Sequence, residues 1–463
     1  MSLLSHAFGR SSVDSFLSSD AQLERNLTTK DLIGLGVGTV IGTGIFILPG
    51  HEAALHAGPA VSIVCIIAAI YSGISGMAFA EFSSAIPVAG SAYSFGSVIY
   101  GRFIGWLLGW ALILEYFLAV AAIATGFSAY FKNLVQSCHL TLPDVFITGH
   151  VNIIAMLVIL LTTLILSRGV KSSKKIENIA VVLKIAIIVL FIAVGIFFIK
   201  PTNYTHFYPQ ELRGGWYGLG GIGSAVISII FAFLGFDALA SNAAETKNPK
   251  KTMARGILGT VIISSTLYTL FALVLTGIVN YKYLNVDDPA AFALQTIHQT
   301  NFSILITVGA LIGMFTAIFA MVYTSSRLTY AFARDGLLPR LFGNISSKHK
   351  LPMNALIFVT VVEMIFAGCV PLDTLVNLIS AGTLTAFLFM NFGILFLRRR
   401  KDLPNTGFKV PGYPLLPILG GLLSLALLCC LNADTIRLFL VWIIVGSIWY
   451  IGYSVYRLHQ ASK

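Results

Sequence analysis

Charge is what this chain has least of. Asp, Glu, Lys and Arg together make up 11% of its 463 residues, and only 19 of them are acidic. Soluble domains carry about 25%, so an ordinary water-soluble protein is excluded. Cysteine is also sparse, at five. Cys65, Cys369, Cys429 and Cys430 lie in apolar segments and Cys138 stands alone in a loop, which reads as packing and argues against a disulfide framework or a metal site. The first 31 residues are polar and lack the apolar core of a secretory signal. They read as a mobile cytoplasmic tail.

Hydrophobicity fills the space that charge leaves. Apolar residues make up 57% of the chain and mean hydropathy is +0.86. Apolar runs of about 17–25 residues begin near residues 32, 60, 101, 151, 176, 216, 254, 301, 354, 373, 414 and 436, each long enough to cross a hydrocarbon core of about 30 Å. The expected fold is therefore an all-α polytopic membrane protein with about 12 transmembrane helices. The formal charge of +11 concentrates in alternate loops, as in Arg168, Lys171, Lys174 and Lys175, in Lys247, Lys250, Lys251 and Arg255, and in Arg398 to Lys401. About 24 of the 30 Lys and Arg fall inside if both termini are cytoplasmic, which obeys the positive-inside rule. The charge is topological and implies a lipid bilayer as partner, with no nucleic acid.

Two apolar segments break over glycines. One reads Gly38-Thr39-Val40-Ile41-Gly42-Thr43-Gly44-Ile45-Phe46, the other Phe231-Ala232-Phe233-Leu234-Gly235-Phe236-Asp237. Unwound backbone at membrane depth is tolerated only where it is buried in protein or lines a cavity. Paired breaks in two halves of a membrane chain point to a transporter's binding site. The breaks fall in segments one and six, an odd offset of five, so the second five segments enter the membrane inverted. That arithmetic predicts a 5+5 inverted repeat: a tail over 1–31, repeats over 32–200 and 201–400, and two added helices with a cytoplasmic tail over 401–463. The stretch 335–342 reads as a short amphipathic segment along the inner interface.

The chemistry follows from the breaks. Gly34, Gly38 and Gly42 form a small-residue stripe suited to close helix packing. Where it ends, unwinding around Gly42, Thr43 and Gly44 frees amides at a half-helix N-terminus, which attracts an anion such as a carboxylate. Freed carbonyls around Val40 and Ile41, and at Phe231, Ala232 and Leu234, suit an ammonium. One site with both poles reads an α-amino acid by its backbone.

Ionisable residues within apolar segments are functional candidates by default. Lys184 lies too deep to snorkel and should point into the bundle, as a fixed ammonium or a proton carrier, or else as a lysine–carbonyl staple. Glu115 is the leading acidic candidate for the site or a proton path, against a helix–helix bond. Asp237 either caps the resuming half-helix or serves the site. Glu81 and Glu363 read as structural. Gly218-Leu219-Gly220-Gly221-Ile222-Gly223 fits a dinucleotide fingerprint but opens a membrane helix instead of following a strand, and His51 and His56 are five apart where zinc needs four. No Ser/His/Asp set stands out, so catalytic residues, cofactors and metals are not expected.

These residues resemble a known family. Ile-Gly-Thr-Gly-Ile-Phe (41–46), Ala-Glu-Phe-Ser-Ser-Ala-Ile-Pro (80–87), Gly-Ser-Ala-Tyr (90–93), Gly-Trp-x-Leu-x-Leu-Glu-Tyr (109–116), Ser-Arg-Gly-Val-Lys (167–171), Phe-Leu-Gly-Phe-Asp (233–237), Glu-Thr-Lys-Asn-Pro-Lys-Lys (245–251) and Ser-Arg-Leu-Thr-Tyr-Ala-Phe-Ala-Arg-Asp-Gly-Leu-Leu-Pro (326–339) occur in order over nearly the whole chain. Together they resemble the amino acid–polyamine–organocation superfamily, in the bacterial branch of the cationic amino acid transporters. The resemblance implies a LeuT-type fold with helices one and six broken, alternating access, and a bacterial inner-membrane location. It implies that Val40 to Gly44, Glu115, Ala119, Phe231, Ala232, Leu234 and Asp237 meet an L-amino acid. It implies that Lys184 replaces a sodium ion, which favours sodium-independent, proton-linked transport with Lys184 and Glu115 in the coupling. Met321 falls where the substrate side chain is met, with ordinary core packing as the alternative, and its thioether favours small or medium neutral amino acids such as alanine, serine or threonine. Arginine or lysine transport, exchange, and an amino-acid-gated channel or receptor are the alternatives. A partner subunit is not evident.

Overall fold

A computed structural model describes residues 9–13, 16, 25–139, 143, 151–168, 174–208, 218–346, 351–403 and 407–461. Lys171 and the expected start of segment six at residue 216 lie outside them. The architecture is helical throughout, and the one β-bridge among the described residues pairs Leu27 with Thr246.

The first break is where it was expected. Helix α1 (Thr29–Val40) opens with a capping box, the Thr28 and Asp31 side chains each bonding the other's backbone, which satisfies two orphan amides at once. It stops at Ile41, and α2 (Thr43–Glu52) resumes after Gly42 with no side-chain cap. A π-turn (Ala53–Ala57) and a short 3-10 turn lead into α3 (Val61–Ala85). Then come α4 (Ser91–Ile99), α5 (Arg102–Ser137), α6 (Ile153–Ser167) and α7 (Lys174–Gly195).

The second break lies further along the chain. Helix α8 (Gly218–Ala232) ends at the second break, and after it the chain resumes as a 3-10 segment, Ala238–Glu245. Next are α9 (Pro249–Ile278), the short α10 (Pro289–Thr296) and α11 (Thr300–Arg334). The chain closes with α12 (Met353–Cys369), α13 (Leu372–Leu397), α14 (Leu415–Cys429) and α15 (Ala433–Ala461). Seven stretches among the described residues are long and apolar enough to cross a membrane. One of them, Thr43–Ala85, contains both α2 and α3. Four shorter apolar helices add to these. The short helices α4 and α10 had no counterpart in the hydropathy pattern, because each is under three turns and lies between spans.

Packing in lipid relies on close contact and polar ties more than on the hydrophobic effect. Two such seams frame the site. At the end of α3, Glu81 is buried and receives Nε and Nη2 of Arg398 at 2.7 and 2.8 Å, together with the Val410 amide at 2.6 Å. The Arg398 guanidinium also lies 4.3 Å from the Tyr413 ring centre. Glu81 is thus a structural tie between α3 and α13. On another side, α5 and α15 join through tryptophans. Trp110 Nε1 donates to the Trp442 carbonyl at 2.9 Å and Trp442 Nε1 returns a bond to the Trp110 carbonyl at 3.0 Å. Trp106 Nε1 donates to the Gly446 carbonyl, and Trp449 Nε1 to the Leu337 carbonyl.

Several expectations need correction. The tail is anchored where it is described. Asn26 and Leu27 donate to the Glu245 carbonyl, Lys247 donates to the Leu27 carbonyl, Ser11 donates to the Ser97 carbonyl, and Gly9 accepts from Arg102. Gly36 of α1 also packs closely, its missing side chain making room for Leu239 and Thr260, and Gly38 lies against Val181. The stretch at 335–342 is a turn followed by a 3-10 segment over Arg340–Gly343, because Gly336 (φ +76°) and Pro339 interrupt any longer helix. Cys65 is buried as expected, whereas Cys369, Cys429 and Cys430 are exposed on the helix surfaces.

Candidate functional site

The two breaks touch each other. A Cβ on Gly44 would lie 2.8 Å from Ala232 Cα, and a Cβ on Gly235 would lie 2.9 Å from the Thr39 side chain. Gly235 also has φ +115°, which side-chain-bearing residues rarely adopt. Glycine is therefore required twice, once for approach and once for conformation. Thr39 Oγ1 donates within α1 to Leu35 and Gly36 carbonyls at 3.0 and 2.9 Å. These contacts bring residues 188 and 196 positions apart against each other.

Lys184, 3% exposed on α7, sends its Nζ to the Gly38 carbonyl at 2.8 Å. Its stem lies along Gly313 of α11, where a Cβ would come within 3.2 Å of the lysine Cγ. The ammonium thus ties α7 to the last turn of α1, directly before the break. Among the described residues it has no carboxylate in an ion pair.

A residue that sequence reasoning passed over joins the breaks. Tyr268 of α9 is buried, and its hydroxyl lies 2.7 Å from the Val40 carbonyl and 2.8 Å from the Ala232 carbonyl. Both carbonyls were expected to face an ammonium; here one phenol proton is shared between them. The Phe231 carbonyl accepts from the Leu234 amide at 3.0 Å. Among the described bonds, the Leu234 carbonyl takes none. A tyrosine inside a long apolar helix, with a hydroxyl that must find a partner when buried, was the available signal.

The resuming half-helix starts without a side-chain cap. Helix α2 begins at Thr43, so the amides of Thr43, Gly44 and Ile45 have no partner within the helix and the positive end of its dipole faces the break. Ile41 and Gly42 amides turn back to Val37 and Val40 carbonyls. Thr43 is 3% exposed and its hydroxyl is a buried polar atom without a partner. One face of α5 lines this region. A Cβ on Gly42 would lie 3.8 Å from Ile123, the Thr43 methyl fills the space left by Gly126, and Ala119 and Glu115 lie one and two turns below Ile123. Ala119 is fully buried.

Glu115 is buried with both carboxyl oxygens unpartnered, and Asp237, Thr383 and Gly382 surround it. Asp237 does not cap the segment after it: its Oδ1 accepts from the Gly235 amide at 3.1 Å, two residues back, and so holds the turn that forms the break. Its own carbonyl accepts from Ser91 of α4 at 3.0 Å. Met321 is buried on α11, eight residues beyond Gly313 and so about 12 Å along the helix axis. Among the described contacts none joins it to the breaks. Glu363 is fully buried on α12 with both oxygens unpartnered. No cluster among the described residues could hold a metal ion.

The profile of the family described as amino acid permease matches residues 27–454. The chain belongs to the amino acid permease family. It is 43% identical over 449 residues to the branched-chain amino acid permease BcaP of Lactococcus lactis, covering 95% of this chain and 96% of that one. It is 40% identical over 444 residues to the methylthioribose transporter of Bacillus subtilis, covering 94% and 95%. At greater distance stands cationic amino acid transporter 4, vacuolar, of Arabidopsis thaliana, 34% identical over 389 residues and covering 81% and 64%. The resemblance read from the motifs therefore holds. This permease is a membrane transporter and not an enzyme.

Proposed function

We propose that this permease is a secondary active transporter that imports neutral L-amino acids by alternating access, without sodium and with protons. The observation that carries the reading is the contact between two interrupted helices, with unpaired amides on one side and Lys184 anchored to Gly38 on the other. The fold it rests on is a 12-crossing LeuT-type chain. In it α1–α2 and α8 with Ala238–Glu245 are the broken first and sixth segments, 32–200 and 201–400 are the inverted repeats, and α14 and α15 are the additions. Both termini face the cytoplasm of a bacterial inner membrane.

In this reading the substrate carboxylate sits on the Thr43, Gly44 and Ile45 amides and the Thr43 hydroxyl. The ammonium sits by the carbonyls of the second break, displacing or sharing Tyr268, with Ile41, Glu115, Ala119 and Asp237 around it. A lysine ammonium seated on a break carbonyl does the work of a bound cation, which supports transport without sodium. Glu115 supports proton linkage, because it is an ionisable residue buried within a membrane-spanning helix beside Asp237. The side-chain pocket reaches toward Met321. Its thioether and the branched-chain permeases among the relatives favour small to medium aliphatic and hydroxyl side chains, from alanine, serine and threonine to leucine. The relative named for methylthioribose makes that compound a necessary member of any test panel, and the cationic relatives add arginine and lysine.

Proteoliposomes decide the matter. Alanine, leucine, arginine and methylthioribose are offered with an imposed inward proton gradient in sodium-free buffer. The expected result is accumulation of alanine or leucine above equilibrium, abolished by a protonophore. Arginine outcompeting both would overturn the neutral assignment. A strict sodium requirement with no response to pH would overturn the coupling, and passive equilibration alone would indicate a channel.

A further inference from the structure

Helix α4 opens on a conformational outlier, inside the Gly-Ser-Ala-Tyr stretch at 90–93. Four residues with side chains take positive φ among the described residues: Ser91 (+49°), His139 (+57°), Asn248 (+50°) and His298 (+60°). Asn and His enter this region several-fold more often than most residues, and those three are exposed. Ser91 is of neither type, and it is fully buried. Glycine would take this conformation without steric cost, so a serine here needs a reason. Its hydroxyl supplies one: Ser91 Oγ donates to the Asp237 carbonyl at 3.0 Å, across 146 positions of sequence.

We propose that Ser91 is a positioning residue for the substrate ammonium: its hydroxyl fixes the turn of the second break and so aims the Leu234 carbonyl. The proposal rests on the transport reading above, which puts that carbonyl beside the ammonium. The path from one group to the other is short. Ser91 holds the Asp237 backbone, and Asp237 Oδ1 takes the Gly235 amide at 3.1 Å. That amide and the Leu234 carbonyl belong to one planar peptide unit and point in opposite directions. Fixing the amide on Asp237 therefore turns the carbonyl away from it, where among the described bonds it takes no donor. Backbone strain of this kind persists only where surrounding structure enforces it, and it gathers at working sites.

The first turn of α4 is a firm platform for that hydroxyl. The Tyr93 hydroxyl donates to Asp335 at 3.3 Å, and its ring meets Phe332 of α11 with centres 4.9 Å apart. Ser94 Oγ donates back to the Ala89 carbonyl at 2.7 Å and closes the turn on itself. Gly90 has φ +107°, and a Cβ there would collide with the same Ser94 hydroxyl. The turn before the helix is thus held by bonds of its own, and the Ser91 side chain is free to serve the break. On the far side of the turn, Phe236 meets Phe79 of α3 edge-on and Thr39 Oγ1 lies 3.5 Å from the Gly235 carbonyl.

Uptake of leucine and alanine into proteoliposomes, with melting curves of the same purified proteins, tests the assignment. Four proteins are compared: wild type, Ser91→Gly, Ser91→Ala and Ser94→Ala. Glycine and alanine both remove the hydroxyl at 91, but only glycine takes positive φ without strain, so Ser91→Gly should melt above Ser91→Ala. Half-saturation should nevertheless rise in both, by about two- to tenfold, the converted worth of one hydrogen bond, with the maximal rate changed less. Ser94→Ala loses a bond of the same turn that does not reach the break, so it should melt lower and keep the half-saturation of the wild type. Binding then follows the hydroxyl while stability follows the backbone, whereas a merely structural role moves the two together. Wild-type half-saturation in either Ser91 variant would overturn the proposal, as would an equal rise in Ser94→Ala. Absence of saturable uptake of both amino acids by the wild type would overturn the transport reading and the proposal with it.

Discussion

The Nζ of Lys184 is bonded to the carbonyl of Gly38, four residues before the helix it touches breaks at Gly42. The bond is the only described tie that α7 makes to this turn through a charge, and its donor is almost wholly buried. Replacing Lys184 with Gln removes the charge and shortens the reach. Uptake should fall at least tenfold while the protein still folds, since the Gly38 carbonyl at a helix end can be re-bonded by water. Initial rates within twofold of wild type would return Lys184 to a passive staple.

Tyr268 holds both breaks with one hydroxyl, so Tyr268→Phe leaves the Val40 and Ala232 carbonyls without it. Leaving such buried acceptors bare costs about 1–3 kcal/mol. The apparent melting temperature should drop, and substrate should restore part of it, because a ligand that binds only the folded state stabilises it. An unchanged melting curve together with unchanged uptake would show that the bridge is incidental.

Gly44 has no room for a methyl group. Gly44→Ala puts a Cβ 2.8 Å from Ala232 Cα, against backbone that cannot rotate away. Overpacking of this kind costs typically 1–3 kcal/mol, and here the strain falls on the pair of breaks. Uptake should be lost more completely than stability. Gly42→Ala, with its nearest neighbour at 3.8 Å, is the control and should keep most of its folding stability.

Asp288 precedes α10, outside the spans, and is mostly buried with one carboxyl oxygen unpartnered. Burial pushes its pKa up from 3.8 to about 7, and Asp287 adds repulsion. Because the folded value is the higher one, its contribution to stability is complete below its ordinary pKa and is lost as pH rises through about 7. Purified wild type should therefore lose about 2–3 kcal/mol between pH 5 and 8 that Asp288→Asn does not lose. Parallel melting curves for the two proteins across that range would contradict this.

Met321 is the residue we assign to side-chain choice. Met321→Ser replaces a thioether with a smaller hydroxyl and should admit longer side chains, raising arginine or lysine uptake severalfold relative to alanine. An unaltered substrate spectrum would move the pocket elsewhere.

Much of this arrangement could be read from residue order alone, and the parts that could are of one kind. Helices long enough for a membrane, and glycines that interrupt two of them, leave local marks in composition. Lys184 was conspicuous because an ammonium in Val-Val-Leu-Lys-Ile-Ala-Ile has nowhere local to go. The missing parts depend on what meets across the fold. Tyr268 sits in a helix without any local irregularity, and only the meeting of Val40 with Ala232 gives its hydroxyl a purpose. Asp237 bonds backward to Gly235 because the turn bends there, and a linear pattern does not distinguish that from a forward cap. The close packing of Gly36 depends on where Thr260 and Leu239 lie. The anchoring of Leu27 to residues 245–247 likewise joins positions more than 200 apart.

The tryptophan seam has a practical consequence. Four of the five tryptophans, Trp106, Trp110, Trp442 and Trp449, belong to the contacts of α15 with α5 and with the turn after α11. Intrinsic emission from this protein therefore reports chiefly on whether its last helix stays docked. It is a poor witness to events at Gly44 and Ala232, so an optical titration of amino acids needs a new indole near the breaks, for example at Phe233.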